Sequence, residues 1–487
     1  MKPSISAMRA AIGAALSSET SLRGRTPEPR HIYVPPSHIR ALRLANDVII
    51  GGRGVGKSFW SAALGDQATR SVIGSAVPAL PDIAVHAGYE ERPDITSYPD
   101  PETFRVCLVA GADAYAIWRA VVDRWLQSVV NQGTAPGTET WVDAVQRVRS
   151  EPESFARLLE QADRSFADRQ TNGLIIFDAV DLISSEWAVM DGIVRDLLRL
   201  VLLLRPYSRL YAKVFLREDQ FDGRVIANFP DASKILADKV ELTWAPRDLH
   251  GLLWQYLINA EGHHGACMRA LFQTVAETSP STASAQDVWQ LPDSAKRVGE
   301  LQKRLFASLA GEYMGRDHRR GYTYTWSIGH LADAKQRTSP RSFLAAIRSA
   351  AVDSADRYQD HRYPLHYESI KRGVQAASQI RVDEMAEDYP WVKTVLEHLR
   401  GKNVPCSVPE VEESWTEALG LPNRLGGDKL PPEHADEGWP GVRRDLTTLG
   451  IFETMKDGRI NMPDLYRVGF GLGRRGGVKP IMKGMNS

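Results

Sequence analysis

The sequence has few cysteines, no excess of charge of either sign and no long hydrophobic run. Its 487 residues include only three cysteines, Cys107, Cys267 and Cys406, which lie far apart. We therefore expect no disulfide framework and no four-ligand zinc site, and we expect a cytoplasmic, reducing environment. Neither sign of charge is in excess, because 60 Lys and Arg balance 60 Asp and Glu. That balance removes the general electrostatic case for a dedicated nucleic-acid-binding protein, while a local basic patch stays compatible with it.

Long hydrophobic runs are also absent. The longest apolar stretches, such as residues 200–204 and 106–110, have the length of core elements rather than the roughly 20 residues that span a bilayer. We therefore expect no membrane partner. A hydrophobic content of 43% and a charged content of 25% are those of an ordinary globular protein. The length predicts about two to four domains.

The first half of the chain has an α/β pattern. Short apolar runs at residues 47–50, 174–177 and 210–216 predict strands, and residues 187–204 between the last two predict a buried crossover helix. This strand–helix–strand unit indicates a parallel sheet. The Pro-, Asp- and Tyr-rich segment 78–101 predicts a long loop or insertion.

The second half changes character twice. From residue 247 to about residue 375 the periodicity is helical. Beyond it, residues 391–399, 408–419 and 439–449 predict three helices, and an Asp-Gly turn at 457–458 predicts a hairpin, which together describe a winged helix. The predicted divisions are a lead-in with an N-terminal helix (1–45), a core (46–246), a helical lid (247–375) and a winged-helix domain with an acid-free basic tail (376–487).

A phosphate-binding loop is the most specific signal. Residues 51–58 read Gly-Gly-Arg-Gly-Val-Gly-Lys-Ser and match G-x-x-x-x-G-K-[ST] at every fixed position, between a predicted strand and a predicted helix. Glycines let backbone N–H groups surround phosphates, and the helix N-terminus attracts anions. We expect Lys57 to reach the β- and γ-phosphates and Ser58 to ligate Mg²⁺. The expected nucleotide contacts in this segment are Gly51, Gly52, Arg53, Gly54, Val55, Gly56, Lys57, Ser58 and Phe59.

Two acids follow the strand at 174–177. Asp178 ends this strand, and a metal ion at a phosphate loop needs such an acid. The alternative is an ordinary buried strand with a solvated aspartate. Asp181 either faces the γ-phosphate or caps a helix, a role that Asp commonly fills, and both possibilities stay open.

Three arginines are candidates for reading a phosphate. Arg217 ends the strand at 210–216, at the sheet edge where ligands bind in open α/β folds, and its alternative is an ion pair with Glu218 or Asp219. Arg224 is a candidate arginine finger acting in trans. Arg341 lies in the first turn of a helix that Ser339 and Pro340 begin, where the helix dipole disfavours a cation. A bound nucleotide or a carboxylate such as Asp333 would compensate.

These segments together resemble the AAA+ and STAND branch of the P-loop ATPases, especially bacterial KAP-type and signal-transduction ATPases. The resemblance implies ATP and Mg²⁺ as ligands, Ser58 and Asp178 at the metal, and an adenine contact from the lead-in residues Ile32 and Tyr33. It also implies that Arg217 is the first sensor and Arg341 the second. The catalytic set that follows is Lys57, Asp178, Asp181, Arg217 and Arg341.

One position departs from that pattern. Relatives place a second acid directly after the metal-binding aspartate, and here that position is Ala179. Either Asp181 substitutes for it, or hydrolysis is slow and the chain is a nucleotide-dependent switch.

The resemblance favours an ATP-dependent switch that forms homo-oligomers or engages a protein effector, in a bacterial antiviral (anti-phage) system. The alternative is a DNA-loading ATPase of the origin-recognition or transposition-regulator type, in which the winged helix and the tail would bind DNA phosphates. A metabolite kinase on the same loop is a third hypothesis, which the lid and the winged helix disfavour.

Overall fold

The computed structural model describes residues 3–16, 25–131, 139–221, 229–283, 287–426, 429–475 and 478–480. The chain divides by its internal contacts into two units. The sheet unit comprises residues 21–243, and the helical unit comprises residues 1–20 and 244–487. The first helix, α1 (Ile5–Ala15), belongs to the helical unit and begins at Ser4, whose side chain accepts a hydrogen bond from the Ala7 N–H.

A five-stranded parallel sheet forms the centre of the sheet unit. Its strands are β1 (Val48–Ile50), β2 (Ala84–Tyr89), β3 (Gly173–Phe177), β4 (Leu210–Leu216) and β5 (Val240–Glu241), in the order β2-β3-β4-β1-β5. Every pairing is parallel. β1 therefore lies in the interior, and its carboxyl end opens into residues 51–56. Since β3 and β4 are neighbours joined by a helix, the predicted strand–helix–strand unit is present.

Helices connect and cover these strands. They are α2 (Ile39–Leu42), α3 (Lys57–Gly65), α4 (Gln67–Ile73), α5 (Pro101–Val109), α6 (Ala114–Val130), α7 (Trp141–Ser150), α8 (Pro152–Asp168), α9 (Trp187–Leu204) and α10 (Ala232–Asp238). The spacing of apolar residues explains their orientation: α8 buries Phe155, Leu159, Ala162 and Phe166, one stripe of a 3.6-residue period. The core of this unit also includes the indole of Trp118, which contacts the rings of Tyr89 and Phe177 from two neighbouring strands.

The loop predicted at 78–101 instead contains β2. Its residues lack the strong apolar alternation of a strand, because His86 and Gly88 interrupt the pattern. A β-carbon at Gly88 would lie 2.5 Å from the Phe177 ring, so the close approach of β2 to β3 requires glycine there. The strand is specified by pairing with β3 rather than by its own periodicity.

The helical unit continues with further helices and one hairpin. The helices are α11 (Pro246–Ile258), α12 (Gly262–Ala276), α13 (Asp293–Arg297), α14 (Gly299–Ala310), α15 (Thr323–His330), α16 (Pro340–Arg357) and α17 (Tyr367–Asp388). β6 (Ser281–Ala283) and β7 (Val288–Gln290) form an antiparallel pair that the sequence did not predict. α16 and α17 pack closely because Gly373 has no side chain: a β-carbon there would lie 2.2 Å from the Ala346 carbonyl oxygen.

The C-terminal section has the elements of a winged helix. α18 (Pro390–Glu397), α19 (Val408–Leu419) and α20 (Trp439–Thr448) precede the antiparallel pair β8 (Glu453–Thr454) and β9 (Ile460–Asn461), and α21 (Asp464–Phe470) follows. The turn uses Gly458 at φ 82°, as the Asp-Gly signal predicts. The predicted fold class, a parallel α/β P-loop sheet followed by a helical section and a winged-helix section, is thereby confirmed.

The four predicted divisions stay a prediction. The boundary proposed at residues 375–376 falls inside α17, and both flanking sections belong to the helical unit. None of the described helices has the length and hydropathy that a bilayer crossing requires.

Candidate nucleotide site

The loop between β1 and α3 depends on its glycines. Gly54 has φ 75° and Gly56 has φ 106°, a region that residues with a side chain rarely adopt. A β-carbon at Gly51 would lie 2.6 Å from a methyl carbon of Val55, so that position also excludes a side chain. Gly56 is the N-cap of α3 and supplies no side-chain hydrogen bond. The first N–H groups of α3 are thus not capped by a side chain, which is the arrangement that binds phosphate at a helix N-terminus.

The Lys57 side chain folds back over this loop. Its Nζ donates hydrogen bonds to the carbonyl oxygens of Gly51 at 2.9 Å and Gly52 at 3.0 Å. Burial, and to a lesser extent the positive charge of Arg217, lower the pKa of Lys57 to about 8, although nearby aspartates oppose the shift. An ammonium group held here is in place to bind an anion that enters the loop.

Ser58 and Asp178, the two predicted metal ligands, are in hydrogen-bond contact. Asp178 follows β3, is only 5% exposed, and its N–H donates to the Tyr89 carbonyl oxygen at 2.8 Å. Burial raises the pKa of this carboxyl group, and the Ser58 hydrogen bond and the Lys57 charge oppose the rise. A hydroxyl and a carboxylate that meet beside a phosphate loop are the oxygen ligands that Mg²⁺ prefers, so the residues present fit this ion.

Asp181 forms an ion pair with Arg217. The Nη2 of Arg217 lies 3.3 Å from Oδ2 of Asp181, and each side chain is 19% exposed. The expected alternative partners were Glu218 and Asp219, so the pairing with Asp181 across two strand ends was not predicted. The Arg217 N–H donates to Oε1 of Gln220 at 2.9 Å, which holds the start of this loop.

The backbone at Ala179 is in the left-handed region, with φ 54° and ψ 26°. It precedes a short 3-10 turn, Val180–Leu182, that contains Asp181. The position where the ATPases that the sequence resembles carry an acid therefore has both a methyl side chain and a strained backbone. This turn directs the chain so that Asp181 reaches Arg217.

The lead-in residues Ile32 and Tyr33 are buried in the sheet unit. Nearby in sequence, His38 is fully buried, accepts a hydrogen bond at Nδ1 from the Trp60 indole (3.0 Å), and has Nε2 3.1 Å from the Thr243 carbonyl oxygen. Since an indole N–H can only donate, Nδ1 is unprotonated and Nε2 donates. His38 thus links the lead-in, the phosphate-loop helix α3 and the end of the sheet.

Arg341 belongs to the helical unit. It follows the N-cap Ser339 on α16, as predicted, and its Nη1 lies 2.8 Å from Oε1 of Glu384 on α17. The compensating anion in the structure is therefore Glu384 rather than Asp333, which lies 3.8 Å from Arg337. The role of second sensor stays a prediction.

Two further acids lie near the site: Asp219, which was expected only as an alternative partner of Arg217, and Glu90, which was not predicted. Asp219 is close enough to Arg217, Asp181 and Lys57 for their charges to act on it, and burial raises its pKa. Glu90 directly follows β2, the neighbour of β3; burial raises its pKa, Arg92 opposes this, and the charges of Asp94 and Asp178 raise it further. An acid at a strand end was a usable signal, but Glu90 lay in a segment predicted as a loop.

The C-terminal candidates for DNA contact have acidic partners. Arg443 and Arg444 on α20 form ion pairs with Glu412 (3.1 Å) and Glu437. In the tail, Arg474 lies 3.8 Å from Asp464. The tail residues 476–477 and 481–487, and the candidate finger Arg224, lie outside the described residues.

Comparisons with known proteins give structural matches only. No protein-family model matches the chain, and no curated protein matches it. Among solved structures, the chain is similar to the Aeropyrum pernix ORC2 protein in its ADPNP–ADP complexes, with 12% identity, 86% of this chain and 84% of that chain covered, and a TM-score of 0.37. It is also similar to the ORC1 protein of the same organism in complex with DNA, with 12% identity, 92% and 94% covered, and a TM-score of 0.33. Similarities at this level do not bear on function.

Proposed function

We propose that the chain binds ATP with Mg²⁺ at residues 51–58 and hydrolyses it slowly, as the nucleotide-dependent switch of an AAA+ or STAND-like ATPase. One observation supports this proposal: five side chains from four separate elements meet beside the phosphate loop, at the carboxyl edge of the sheet. They are Lys57, Ser58, Asp178, Asp181 and Arg217.

Each residue has a distinct part in this proposal. Lys57 leaves the Gly51 and Gly52 carbonyl oxygens and donates to phosphate oxygens. Ser58 and Asp178 hold Mg²⁺, which when bound offsets charge on the phosphates. Arg217 places its guanidinium group where negative charge develops on the terminal phosphate.

Asp181 orients the attacking water in the proposed reaction. It lies within the short turn after β3, beside Arg217, and it is the first acid that follows Ala179 in the sequence. A carboxylate that is also ion-paired with Arg217 orients a water molecule less well than a carboxylate with no other partner. Slow turnover follows, which suits a switch that responds to the bound state.

The partner of this switch is proposed to be protein, either a second copy of the chain or an effector. The ion pairs of Arg443 and Arg444 with acids leave α20 without the free cations that groove reading uses, so they favour protein over DNA as the partner of the winged helix. The proposed antiviral setting rests on the resemblance alone, and the proposed cytoplasmic location rests on the scarcity of cysteine.

The first test is ATP binding by calorimetry with Mg²⁺. Lys57→Ala should weaken binding about 10- to 100-fold, because it removes charge-assisted hydrogen bonds to phosphate. Lys234→Ala is the matched control, since it removes an exposed lysine of the same unit. Equal affinity in both variants would refute the proposed site.

The second test is phosphate release without any added acceptor, which also separates an ATPase from a metabolite kinase. Asp181→Asn should keep ATP binding and slow release about 100-fold. Glu90→Gln is the parallel variant. If Asp181→Asn releases phosphate at the wild-type rate and Glu90→Gln does not, then Glu90 at the end of β2, rather than Asp181, orients the attacking water.

The switch itself is tested by size-exclusion chromatography with light scattering, with ADP and with a non-hydrolysable ATP analogue. A nucleotide-dependent change in mass is expected. Identical profiles with the two nucleotides would contradict the proposed switch but not the proposed ATP hydrolysis.

A further inference from the structure

A short hairpin in the helical unit presents three arginines at its tip. Residues 312–322, here called the arginine hairpin, connect α14 to α15. Tyr313 and Tyr322 form an antiparallel bridge, the Met314 N–H donates to the Gly321 carbonyl oxygen at 2.8 Å, and the Thr323 N–H donates to that of Glu312 at 3.0 Å. The tip is therefore a closed turn on hydrogen-bonded arms.

The tip is strongly basic and exposed. Arg316, Arg319 and Arg320 all lie at the surface within five residues. The carboxylate of Asp317 accepts a hydrogen bond from the Arg319 backbone N–H at 2.9 Å, so it stabilises the turn. No carboxylate in the part of the chain that the structure describes forms an ion pair with the side chains of these three arginines.

Several exposed arginines elsewhere in the chain form ion pairs. Arg157 and Arg164 on α8 each contact a glutamate one turn away, and Arg105 contacts Glu102. Like charges that are placed together without partners repel one another, and a flexible anionic ligand with several charges relieves this. A polymer of phosphates is such a ligand.

The two residues that bridge the arms of the hairpin are both aromatic. The rings of Tyr313 and Tyr322 are 5.4 Å apart, and Tyr322 is 50% exposed. An exposed ring beside a cluster of guanidinium groups is the combination that binds unpaired bases by stacking and their backbone by charge.

We propose that the arginine hairpin is a binding surface for single-stranded nucleic acid, in which Arg316, Arg319 and Arg320 contact phosphates and Tyr322 stacks on a base. This goes beyond the proposed ATPase and does not depend on bound nucleotide. It also differs from DNA binding by the winged helix, where the two arginines of α20 have acidic partners.

The test is fluorescence anisotropy with a labelled oligothymidylate of about 20 nucleotides, titrated at several salt concentrations. Substituting all three hairpin arginines by Gln should reduce the slope of log K against log salt by about 2, since about 0.7 counterions per phosphate contact are released from single strands. The control is the triple variant Arg105→Gln, Arg157→Gln and Arg164→Gln, which changes the net charge equally and should keep the wild-type slope.

Tyr322→Leu separates base stacking from charge. It should weaken oligothymidylate binding about tenfold and leave heparin binding unchanged, because heparin has no bases. Wild-type affinity and slope in the hairpin triple variant would overturn the proposal. Duplex DNA or heparin bound as tightly as the single strand, with no effect of Tyr322→Leu, would overturn it too, since the surface would then bind any polyanion. Lys57→Ala should bind oligothymidylate normally, so failure of the ATPase proposal is seen independently.

Discussion

At the scale of single residues, Lys57 combines a hydrogen-bonding role with an unusual acidity. In the unfolded chain its pKa is near 10.5, whereas burial and the Arg217 charge lower it to about 8 in the fold. The folded state binds fewer protons than the unfolded state between these values, so this group opposes folding below pH 8 and the penalty disappears as pH rises to 10.5. Phosphate in the loop would favour the charged form.

We therefore expect ATP binding to take up a proton above pH 8. Near pH 9 the uptake should approach about one proton, and affinity should fall as pH rises from 8. Calorimetry in buffers of different ionisation enthalpy measures the uptake. Lys57→Arg should lack it, because arginine stays charged. Equal uptake in wild type and Lys57→Arg would show that Lys57 is not the titrating group.

Ala179 stores backbone strain at the site. A left-handed φ of 54° costs an alanine about 1 kcal/mol, and glycine has no such penalty. Ala179→Gly should raise the free energy of unfolding by about 0.5 kcal/mol in urea denaturation, because the relieved strain exceeds the entropy that glycine adds to the unfolded chain. Ala167→Gly, at an exposed position near the end of α8, is expected to lower it by a similar amount. A lower free energy of unfolding for Ala179→Gly than for the wild type would contradict the proposed backbone strain at Ala179.

At the scale of elements, His38 joins three segments through one neutral ring. The tautomer is set because the Trp60 N–H donates to Nδ1 and the Thr243 carbonyl oxygen lies beside Nε2. Burial lowers the pKa of His38 to about 4. The unfolded chain, with a pKa near 6.5, binds more protons than the fold between pH 4 and 6.5.

Stability from this element is complete above pH 6.5 and is lost as pH falls to 4. The loss amounts to about 3 kcal/mol. Urea unfolding across this range should show it in wild type, and His38→Gln, which does not titrate, should show that much less pH dependence. The control is His398→Gln at an exposed position, which should behave as wild type. Equal slopes for wild type and His38→Gln would refute the assignment.

At the scale of the whole molecule, the chain's first helix belongs with its second half. Arg9 on α1 is buried and donates to the carbonyl oxygens of Pro364 at 2.9 Å, Gln359 at 3.0 Å and Tyr358 at 2.6 Å, in the segment between α16 and α17. Without the Arg9 side chain, these three carbonyl oxygens would lose the donor of their hydrogen bonds. α1 is therefore a structural part of the helical unit.

Arg9→Leu should release α1. Unsatisfied carbonyl oxygens and lost charge-assisted hydrogen bonds cost about 2 kcal/mol, so amide exchange in α1 should accelerate about 30-fold. Hydrogen–deuterium exchange measures this directly. Arg157→Leu, at an exposed ion pair on α8, should leave exchange in α1 unchanged. Unchanged protection in Arg9→Leu would contradict the role of this contact.

How much the sequence predicts differs between parts of the fold. Strands β3 and β4, with α9 between them, were predictable to within a residue, because their apolar runs bury both faces of a parallel sheet. β2 was not, since its own residues are weakly apolar and its pairing with β3 supplies the stability. Glu90 was overlooked for the same reason.

The local sequence is enough to specify the phosphate loop, because Gly54, Gly56 and Lys57 are required by local backbone geometry and by the chemistry of phosphate. It also determined the parallel sheet and the winged-helix elements, through local periodicity and a turn that needs Gly458. The pairing of charged side chains, in contrast, depends on the three-dimensional fold. Arg217 pairs with Asp181, Arg341 with Glu384, and the hairpin arginines with no described carboxylate, because ion pairs form between residues that folding brings together from distant parts of the chain.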